Sequence, residues 1–577
     1  MAKAKQSAAK QAAPSSTGSR ARPSVTAMRG GDLEAARDLD SLWSVLSDRE
    51  QTLKNRRIAT LFETDPQRFE SFSASFDDIL LDYSKEKIDR AAREALFALP
   101  KAADLDEWRR RMFAGDIVNG TEGRAARHNI LRAGTPPLAG VAEMREQFLE
   151  FAQQVRTGER VGCTGKQFTD VVNIGIGGSY LGPRLAVEAL APFADGPRIH
   201  FVANVDPYNF HKVVDGLDPS RTLFLTASKS FTTHETALNL EMALEWAQQR
   251  LGPEAVGKHF CAITARPDRA RALGLATENI FQIWDWAGGR FSIWSSMGLC
   301  AAIRVGRRNF EEFLAGGADM DRHFIEAPTA RNLPVLLALI GVWRRNVQNL
   351  PAYGVAAYES RLEAFPEYIQ QLEMESNGKT VTRDGAPVGQ HTAPIVFGGA
   401  GTNTQHSFFQ KLHQGTDVAP IDFLVGVEST TPAAEGQKVL LANCLAQSKA
   451  LMDGRDAEAA AAELSAKAKA AGKKINGEAR LASHMVCPGD RPSTTIMYRR
   501  LDPRTLGRLI ALYEHKIFTQ AVIWRIECFD QYGVEIGKNL ADDLLPRMED
   551  EASWAEVDPS TRGLLAWRRK LGVDPSS

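Results

Sequence analysis

The amino-acid sequence predicts an α/β protein of more than one domain, with mainly parallel sheets. Its 577 residues exceed the size at which one hydrophobic core stops growing. From Asp170 onward, short runs with strand character alternate with longer stretches that have helical periodicity. Such alternation is typical of βαβ units, and βαβ units build parallel sheets.

Two parts of the chain, residues 39–112 and the stretch that begins at residue 170, differ in their hydrophobic periodicity. Residues 39–112 have a helical pattern, with breaks predicted at residues 64–66 and near Pro100. From residue 170 the helical pattern gives way to short apolar runs. Strands are predicted there at residues 170–176, 198–205, 222–226, 259–264 and 280–283.

A second strand-and-helix region is predicted from about Asn309 to the C-terminus. Candidate strands in it lie at residues 394–398 and 494–498. The alanine-rich run at residues 456–471, with its interspersed charges, lies between these strands. It predicts an exposed helix without a chemical role.

The charge balance excludes some classes of function. The chain has 70 Lys and Arg residues against 71 Asp and Glu residues, for a net charge of -1. Nucleic-acid and anionic-membrane surfaces need clustered excess cations, so neither partner is expected. The longest apolar run, residues 333–343, is too short to span a membrane. The cysteines are scattered without a Cys-x-x-Cys pair, which indicates reduced thiols rather than disulfides or a zinc site.

Residues 1–35 differ in composition from the rest of the chain. The stretch carries Lys and Arg but no acid before Asp32, and it lacks the continuous apolar segment of a secretory signal. This composition favours a disordered basic tail, while an organellar transit peptide stays open as the alternative. If residues 1–35 are a disordered tail and not a transit peptide, the protein is expected to be cytoplasmic.

The stretch NIGIGGSYLG at residues 173–182 raises the question of a dinucleotide site. The dinucleotide fingerprint needs Gly-x-Gly-x-x-Gly and an acid about 20 residues later. Gly175 and Gly177 fit, but Tyr180 takes the third glycine position and no acid follows at that distance at the end of the next strand. A nicotinamide or flavin cofactor is therefore disfavoured. The loop is either a tight turn alone or a place where a ligand approaches the backbone beside the Ser179 hydroxyl.

A hydroxyl-rich cluster follows the strand predicted at residues 222–226. Its members are Ser228, Lys229, Ser230 and Thr233. They precede a helix-like stretch, and a helix N-terminus favours an anion through its exposed N–H groups and its dipole. The cluster therefore predicts a phosphate site. The alternative is helix capping, because Thr232 and Glu235 have the spacing of a capping box.

Several long motifs resemble the glucose-6-phosphate isomerase family. They lie at residues 119–124 (NGTEGR), 288–292 (GGRFS), 370–379 (QQLEMESNGK), 401–406 (GTNTQH), 413–416 (HQGT) and 529–538 (FDQYGVEIGK). The resemblance extends from about Ser41 to Arg568, nearly the whole chain beyond the basic tail. Because the motifs are long and ungapped, the resemblance is specific.

The resemblance implies a fold of two αβα sandwich domains of the sugar-isomerase (SIS) type and a C-terminal helical arm. We divide the chain accordingly. The divisions are a disordered basic tail (1–35), an N-terminal helical part of the large domain (36–130), a small domain (131–308), the remaining large domain (309–545) and a C-terminal tail (546–577). The resemblance also implies a homodimer with a shared active site, in which the ring-opening histidine crosses the interface.

Catalytic roles are implied by the same resemblance. Glu375 is the base that moves a proton between C1 and C2 of the sugar. Arg290 is the cation beside the enediolate, a task that suits a fixed guanidinium. His406 opens the sugar ring with help from Lys538, and Glu235 orients that histidine.

Substrate contacts are implied as well. They are Gly178, Ser179, Ser228, Lys229, Ser230, Thr233, Gln371 and Gln531. Acid/base chemistry of this kind needs neither a metal nor a cofactor, and none is expected. Thr404 departs from the family pattern beside His406. Glu373 matches no role and is expected to be a solvated surface acid.

The predicted function is the reversible isomerisation of glucose 6-phosphate and fructose 6-phosphate. The resemblance implies metal-free acid/base catalysis through a cis-enediol(ate), as a step of glycolysis and gluconeogenesis. The alternative is a non-catalytic sugar-phosphate-binding regulator with the same fold, which would be expected to lose the base and the ring opener. Glu375, His406 and Lys538 are all present, which favours the enzyme.

Overall fold

The computed structural model describes residues 38–132, 138–231, 233–432, 434–472 and 478–572. The predicted basic tail lies outside these ranges, and so does Thr232 of the capping-box alternative. Within them, no helix has both the length and the apolar character needed to cross a bilayer.

The described elements alternate between strands and helices over most of the chain. The strands are β1 (Ser73–Phe76), β2 (Ile79–Asp82), β3 (Ile117–Asn119), β4 (Arg124–Ala125), β5 (Asp170–Ile174), β6 (Arg198–Val202), β7 (Thr222–Ala227), β8 (Phe260–Thr264), β9 (Ile280–Gln282), β10 (Ala352–Tyr358), β11 (Ile395–Ala400), β12 (Ile421–Gly426) and β13 (Ser493–Tyr498). The helices are α1 (Leu39–Leu53), α2 (Ile58–Thr64), α3 (Arg68–Ser71), α4 (Arg90–Ala102), α5 (Leu105–Ala114), α6 (Val141–Thr157), α7 (Leu181–Ala189), α8 (Pro207–Val214), α9 (His234–Leu251), α10 (Ala255–His259), α11 (Pro267–Ala272), α12 (Leu299–Val305), α13 (Arg307–Glu326), α14 (Leu333–Val342), α15 (Phe365–Ile369), α16 (Gly401–Gln405), α17 (Phe409–Gln414), α18 (Ala434–Asp453), α19 (Ala457–Ala470), α20 (Glu478–His484), α21 (Pro503–Trp524), α22 (Tyr532–Arg547) and α23 (Pro559–Lys570). Two π-helical segments, Trp343–Val347 and Gln370–Glu375, continue α14 and α15.

The smaller sheet is fully parallel, with the strand order β6-β5-β7-β8-β9. The strands predicted in this region are present, with ends that differ by a few residues. Every residue of β7 is buried. Leu223 and Leu225 face one hydrophobic cluster, and Phe224 faces another that includes Leu240 of α9. Burial on both faces gives the αβα sandwich its middle layer.

The larger sheet has the strand order β1-β2-β13-β12-β10-β11. Strands β10 to β13 pair in parallel, while the hairpin β1–β2 joins β13 in antiparallel fashion. This hairpin lies within residues 39–112, for which only helices were predicted, and it corrects that prediction. Its two strands have four residues each, and Asp77 turns between them with a left-handed φ of 53°. Strands this short are too brief for periodicity to separate them from a helix.

The breaks predicted in the N-terminal helical pattern are present. α2 ends at Thr64, and α4 ends at Ala102, two residues after Pro100. One pair of strands differs from the sequence prediction. The strands β10 and β12 were not predicted. Both are buried along nearly their whole length, so they lack the alternation of polar and apolar residues that marks a half-exposed strand.

One hydrophobic core joins the inner faces of the two sheets. It contains Leu223 of the smaller sheet, Val355 of the larger sheet and much of α21. At the C-terminus, in contrast, α22 has no buried side chain. The fold is thus α/β with two sandwiches and the predicted helical arm, α22 and α23. The domain boundaries given above stay predictions.

Candidate active site

A crevice opens at the carboxyl ends of the smaller sheet. The chain leaves β5 for β6 on one side and returns to β7 on the other, which makes the β5–β7 pair a topological switch point. Ligands of open α/β sheets bind at such points, because the loops there diverge. The loops after β5 and β7 line a cavity of about 880 Å³, large enough for a sugar phosphate.

The glycine loop forms one wall of this cavity by backbone contact. A Cβ atom on Gly178 would lie 2.2 Å from the carbonyl carbon and oxygen of Gly289. Gly177 has a φ of +58°, a left-handed conformation that favours glycine. The loop is therefore a tight turn, and Gly178 and Ser179 also line the cavity. The close turn of the first alternative is present, and the approach of a ligand to this loop stays a prediction.

The hydroxyl-rich cluster follows β7, the strand next to β5, and lines the same cavity. Ser228, Lys229, Ser230 and Thr233 all line it. Lys229 Nζ donates to the carbonyl of Asp285 at 2.8 Å, which holds the side chain across the crevice. Burial, together with Arg124, lowers the pKa of Lys229 below its usual range. These groups form a cradle suited to an anion at the N-terminus of α9.

The capping alternative involves Thr232 and Glu235, of which Thr232 lies outside the described residues. Thr233 is the residue that precedes α9, and its side chain makes no capping hydrogen bond. Glu235 lines the cavity from the first turn of that helix. Its position permits a role toward a ligand, which capping alone would not require.

Glu375 lies at the inner wall of the cavity with 18% of its side chain exposed. Arg290 Nη1 donates to Glu375 Oε1 at 2.9 Å, and Gln371 Nε2 donates to Oε2 at 2.9 Å. The Gln371 Oε1 atom is buried without a protein partner. A carboxylate held at both oxygens has a fixed orientation, as a proton-transferring base needs.

Arg290 lies directly behind Glu375 and is only 2% exposed. Its Nε donates to Ser376 Oγ at 2.6 Å, and its Nη2 donates to the carbonyls of Cys528 and Asp530 at 2.7 and 3.0 Å. These bonds leave Nη1 facing Glu375 and the Gln531 amide oxygen, the latter at 3.3 Å. The guanidinium is therefore a fixed positive charge beside the carboxylate.

Glu373 corrects a sequence prediction. The residue is fully buried, not solvated, and its Oε2 accepts a hydrogen bond from Lys516 Nζ at 2.6 Å. Lys516 lies on α21, far away in sequence. The burial of this acid could not be recognised without knowing its partner, since a lone Glu is exposed by default.

The C-terminal residues of the predicted site are divided in space. Gln531 precedes α22, and Lys538 reaches the cavity from that helix. His406 follows α16, is exposed, and is not among the residues that line the cavity. The structure thus gathers the predicted site residues around one cavity, with Arg290 just behind it and His406 apart.

Some residues at the site carry no predicted role. His128 lines the cavity and stacks on Phe291 with ring centroids 4.6 Å apart, and burial lowers its pKa well below 6.5. Arg124 also lines it. Lys379 donates to the carbonyls of Glu375 and Ser376 at 2.9 Å. Arg124 and Lys379 are the last residues of the motifs at 119–124 and 370–379. Their place in these motifs was the signal in the sequence that could have identified them as site residues.

The described residues contain no group of three or more His, Cys, Asp or Glu side chains arranged to hold a metal ion. The chemistry on hand is instead a carboxylate base, a fixed cation and an anion cradle around one cavity. Such a set can bind a phosphorylated compound, move a proton and stabilise the resulting negative charge.

Comparison with known proteins places the chain in a family. Residues 82–565 match the family model described as phosphoglucose isomerase. A glucose-6-phosphate isomerase of Methylocella silvestris is 51% identical over 530 residues, which cover 90% of this chain and 96% of the relative. One from Mesorhizobium japonicum is 49% identical over 514 residues, covering 87% and 93%.

The structural comparison agrees with these matches. A crystal structure of a glucose-6-phosphate isomerase from Chlamydia trachomatis superimposes with a TM-score of 0.78 at 32% sequence identity. The match covers 92% of this chain and 98% of the other. Sequence and structure give the same result, and this chain belongs to the phosphoglucose isomerase family.

Proposed function

We propose that the protein interconverts glucose 6-phosphate and fructose 6-phosphate by acid/base catalysis. The single observation that carries the proposal is the Glu375 carboxylate. Arg290 and Gln371 hold it at the wall of a cavity that also contains a phosphate cradle. Family membership supports the same activity. The reaction belongs to glycolysis and gluconeogenesis, and a cytoplasmic location is part of the proposal.

In this mechanism the phosphate is bound first by the cradle. Ser228, Ser230 and Thr233 supply hydroxyls, Lys229 supplies a positive charge, and the N-terminus of α9 supplies a favourable dipole. Gly178 and Ser179 bring backbone and a hydroxyl to the sugar. Anchoring the phosphate places C1 and C2 near the opposite wall, which lowers the entropy cost of reaction.

The proton transfer follows at that opposite wall. Glu375 removes a proton from C2 of the open-chain aldose and returns it to C1, and the reverse reaction exchanges these carbons. Negative charge builds up on the enediolate oxygens during this transfer. Arg290 stabilises that charge, because its guanidinium is fixed by the protein and does not need to reorganise. Gln371 and Gln531 contact the sugar oxygens.

Ring opening needs a second proton-transfer group, and we propose His406 with Lys538 and Glu235. Lys538 and Glu235 line the cavity, whereas the chain's own His406 does not. We therefore propose a homodimer in which His406 of one subunit completes the site of the other. The exposed apolar side chains of α22 support this assembly, since Ile536 is 65% exposed and Leu540 56%.

The function is tested with the purified full-length protein. Fructose 6-phosphate is supplied with EDTA, and glucose 6-phosphate is followed through a coupling dehydrogenase. We expect turnover in the wild type and a loss of about 10²–10⁴-fold in kcat for Glu375→Gln, which removes the base without changing its shape. Glu159→Gln, at an exposed glutamate away from the cavity, is the matched control.

Three results would contradict parts of the proposal. A folded wild type that binds the sugar phosphate without turning it over would indicate a non-catalytic binder. Retained turnover in Glu375→Gln would remove Glu375 as the base but would leave the activity. Activity abolished by EDTA would show that the mechanism needs a metal.

A further inference from the structure

A buried hydrogen-bonded triad lies behind the wall that carries Glu375. The Glu373 Oε2 atom accepts hydrogen bonds from Lys516 Nζ at 2.6 Å and from the Tyr353 hydroxyl at 2.5 Å. Lys516 Nζ also donates to the Tyr353 hydroxyl oxygen at 3.0 Å. All three side chains are buried. We call Glu373, Lys516 and Tyr353 the anchor triad.

The π-helical segment Gln370–Glu375 connects the anchor triad to the cavity. Residues two positions apart on a helical segment project to nearly opposite sides, so Glu373 faces the core while Glu375 faces the cavity. Gln371 lies four positions before Glu375 and faces the cavity on the same side of the segment. π-helical turns are rare in proteins overall, and those that occur often lie at functional sites. This segment is held from one side and presents its reactive group on the other.

A second π-helical segment lines the same small cavity as the anchor triad. Arg344, in the segment Trp343–Val347, donates to Glu86 Oε1 at 2.6 Å and to Asp422 Oδ1 at 2.7 Å. A cavity of about 10 Å³ is lined by Arg344 together with all three members of the anchor triad. The other charged groups that line this cavity are Arg344, Arg345 and Asp422. Arg344 is paired with Asp422 and Glu86, and Arg345 donates to the Thr392 carbonyl.

A buried triad of this kind adds little to the stability of the fold but strongly resists separation of its members. Taking two opposite charges out of water offsets most of their attraction, so a buried ion pair adds little net stability. Separating the pair, however, leaves a charge unpaired in the core, which is strongly unfavourable. Rotation of the π-helical segment would separate Glu373 from Lys516 and would also turn Glu375 away from Arg290. The triad therefore opposes this rotation.

We infer that the anchor triad is a positioning device that fixes the Glu375 carboxylate between Arg290 and Gln371. Glu373, Lys516 and Tyr353 do not touch the substrate in this arrangement. They set the rotation of the π-helical segment, and the segment sets the geometry of the base. The inference rests on the proposed role of Glu375 as the proton-transferring group.

The test compares kcat with KM in full-length variants. Lys516→Met and the double variant Glu373→Gln with Lys516→Met remove the ion pair, and the double variant leaves no unpaired charge in the core. We expect kcat to fall about 10- to 100-fold, since a misplacement near 1 Å costs about that much. KM for fructose 6-phosphate should change less than about threefold, because the phosphate cradle is untouched. Deuterium incorporation from solvent into the sugar should fall with kcat, because it reports the proton transfer.

A matched control separates positioning from stability. Asp319 on α13 is buried and accepts hydrogen bonds from Arg504 and Arg508 of α21, the same helix that carries Lys516. Asp319→Asn should lower the unfolding temperature yet leave kcat and deuterium incorporation unchanged. Tyr353→Phe removes the two hydrogen bonds of the Tyr353 hydroxyl but keeps the bond between Lys516 and Glu373. It should lower kcat severalfold in a folded protein, and it serves if the other variants do not fold.

The outcomes are distinguishable from those of the proposed function. An inactive, folded wild type in the same assay contradicts the function itself. An active wild type with unchanged kcat in a folded Lys516→Met, double or Tyr353→Phe variant overturns the positioning role. A fall in kcat of the same size in Asp319→Asn would also overturn it, because the effect would then follow stability alone.

Discussion

Single residues at the site differ in how firmly the protein holds them. Arg290 is fixed by hydrogen bonds to Ser376 and to two backbone carbonyls. Lys538, on the exposed helix α22, reaches the cavity without any buried neighbour on its own helix. A fixed group suits charge stabilisation during proton transfer, whereas a mobile group suits steps that accompany ring opening and release.

A pH-dependent contribution to stability is predicted at His323. Burial lowers the pKa of His323 from 6.5 to about 4. Its Nε2 accepts the Leu333 N–H at 3.1 Å at the start of α14, which requires a neutral ring. Below pH 6.5 the unfolded chain binds a proton that the folded chain does not, so the free energy of unfolding falls as the pH falls. The contribution is complete above pH 6.5, and roughly 3 kcal/mol is lost by pH 4.

The measurement is denaturant unfolding followed by tryptophan fluorescence between pH 7.5 and 4.5. His323→Gln should be less stable than the wild type at pH 7.5, and the difference should shrink as the pH falls. His484→Gln, at an exposed histidine on α20, is the control and should follow the wild type. A difference between wild type and His323→Gln that stays constant with pH would contradict the prediction.

At the scale of elements, α13 and α21 approach each other through glycines. A Cβ atom on Gly507 would lie 2.1 Å from the Phe313 carbonyl oxygen, and one on Gly316 would lie 1.9 Å from the Arg504 carbonyl oxygen. Backbone atoms cannot move aside as a flexible side chain would. The glycines thus set the distance between these helices, and α21 carries Lys516 of the anchor triad.

Gly507→Ala is therefore expected to lower the free energy of unfolding by about 1–3 kcal/mol through overpacking. Thermal and denaturant unfolding measure this loss. Gly563→Ala, inside the exposed helix α23, is the matched control, since nothing lies within 4 Å of its added Cβ. That control should gain up to about 1 kcal/mol from higher helix propensity. Equal effects of the two substitutions would show that packing between α13 and α21 does not explain the loss.

Elements with strong local patterns were predictable from the sequence, and elements defined by distant contacts were not. β5 and β7 have apolar runs followed by turn residues, and their predicted and observed ends nearly agree. The hairpin β1–β2 is short, and it joins the larger sheet through pairing of β2 with β13, which is far away in sequence. The candidate site residues could be named from the ungapped motifs, the glycine loop and the hydroxyl-rich cluster. The burial of Glu373 depends on its contact with Lys516 and could not be predicted.

At the scale of the whole molecule, the proposed dimer predicts that two inactive variants can restore each other. Each proposed site takes Glu375 from one chain and His406 from the other. A heterodimer of Glu375→Gln and His406→Ala therefore has one intact site and one doubly altered site. With random reassociation of equal amounts, about a quarter of wild-type activity should return, since half the dimers are mixed and each has one intact site of two.

The experiment unfolds or dissociates both variants together, reassociates them, and measures turnover and mass. A mixture of Glu375→Gln with Glu375→Ala is the control and should stay inactive, because no chain then supplies the base. Mixed dimers that form without regaining activity would contradict the shared site. A wild type that sediments as a 63.3 kDa monomer with full activity would contradict the dimer itself.

The contact between Gly178 and Gly289 has a consequence for the way the crevice opens. Two stretches of main chain from different parts of the fold meet there without any side chain between them. Main chain packed against main chain has no side-chain rotamers to adjust, so the two walls move as one body at this end. The glycine loop thus gives the crevice one rigid edge, so any opening for substrate exchange must come from movement of its other walls.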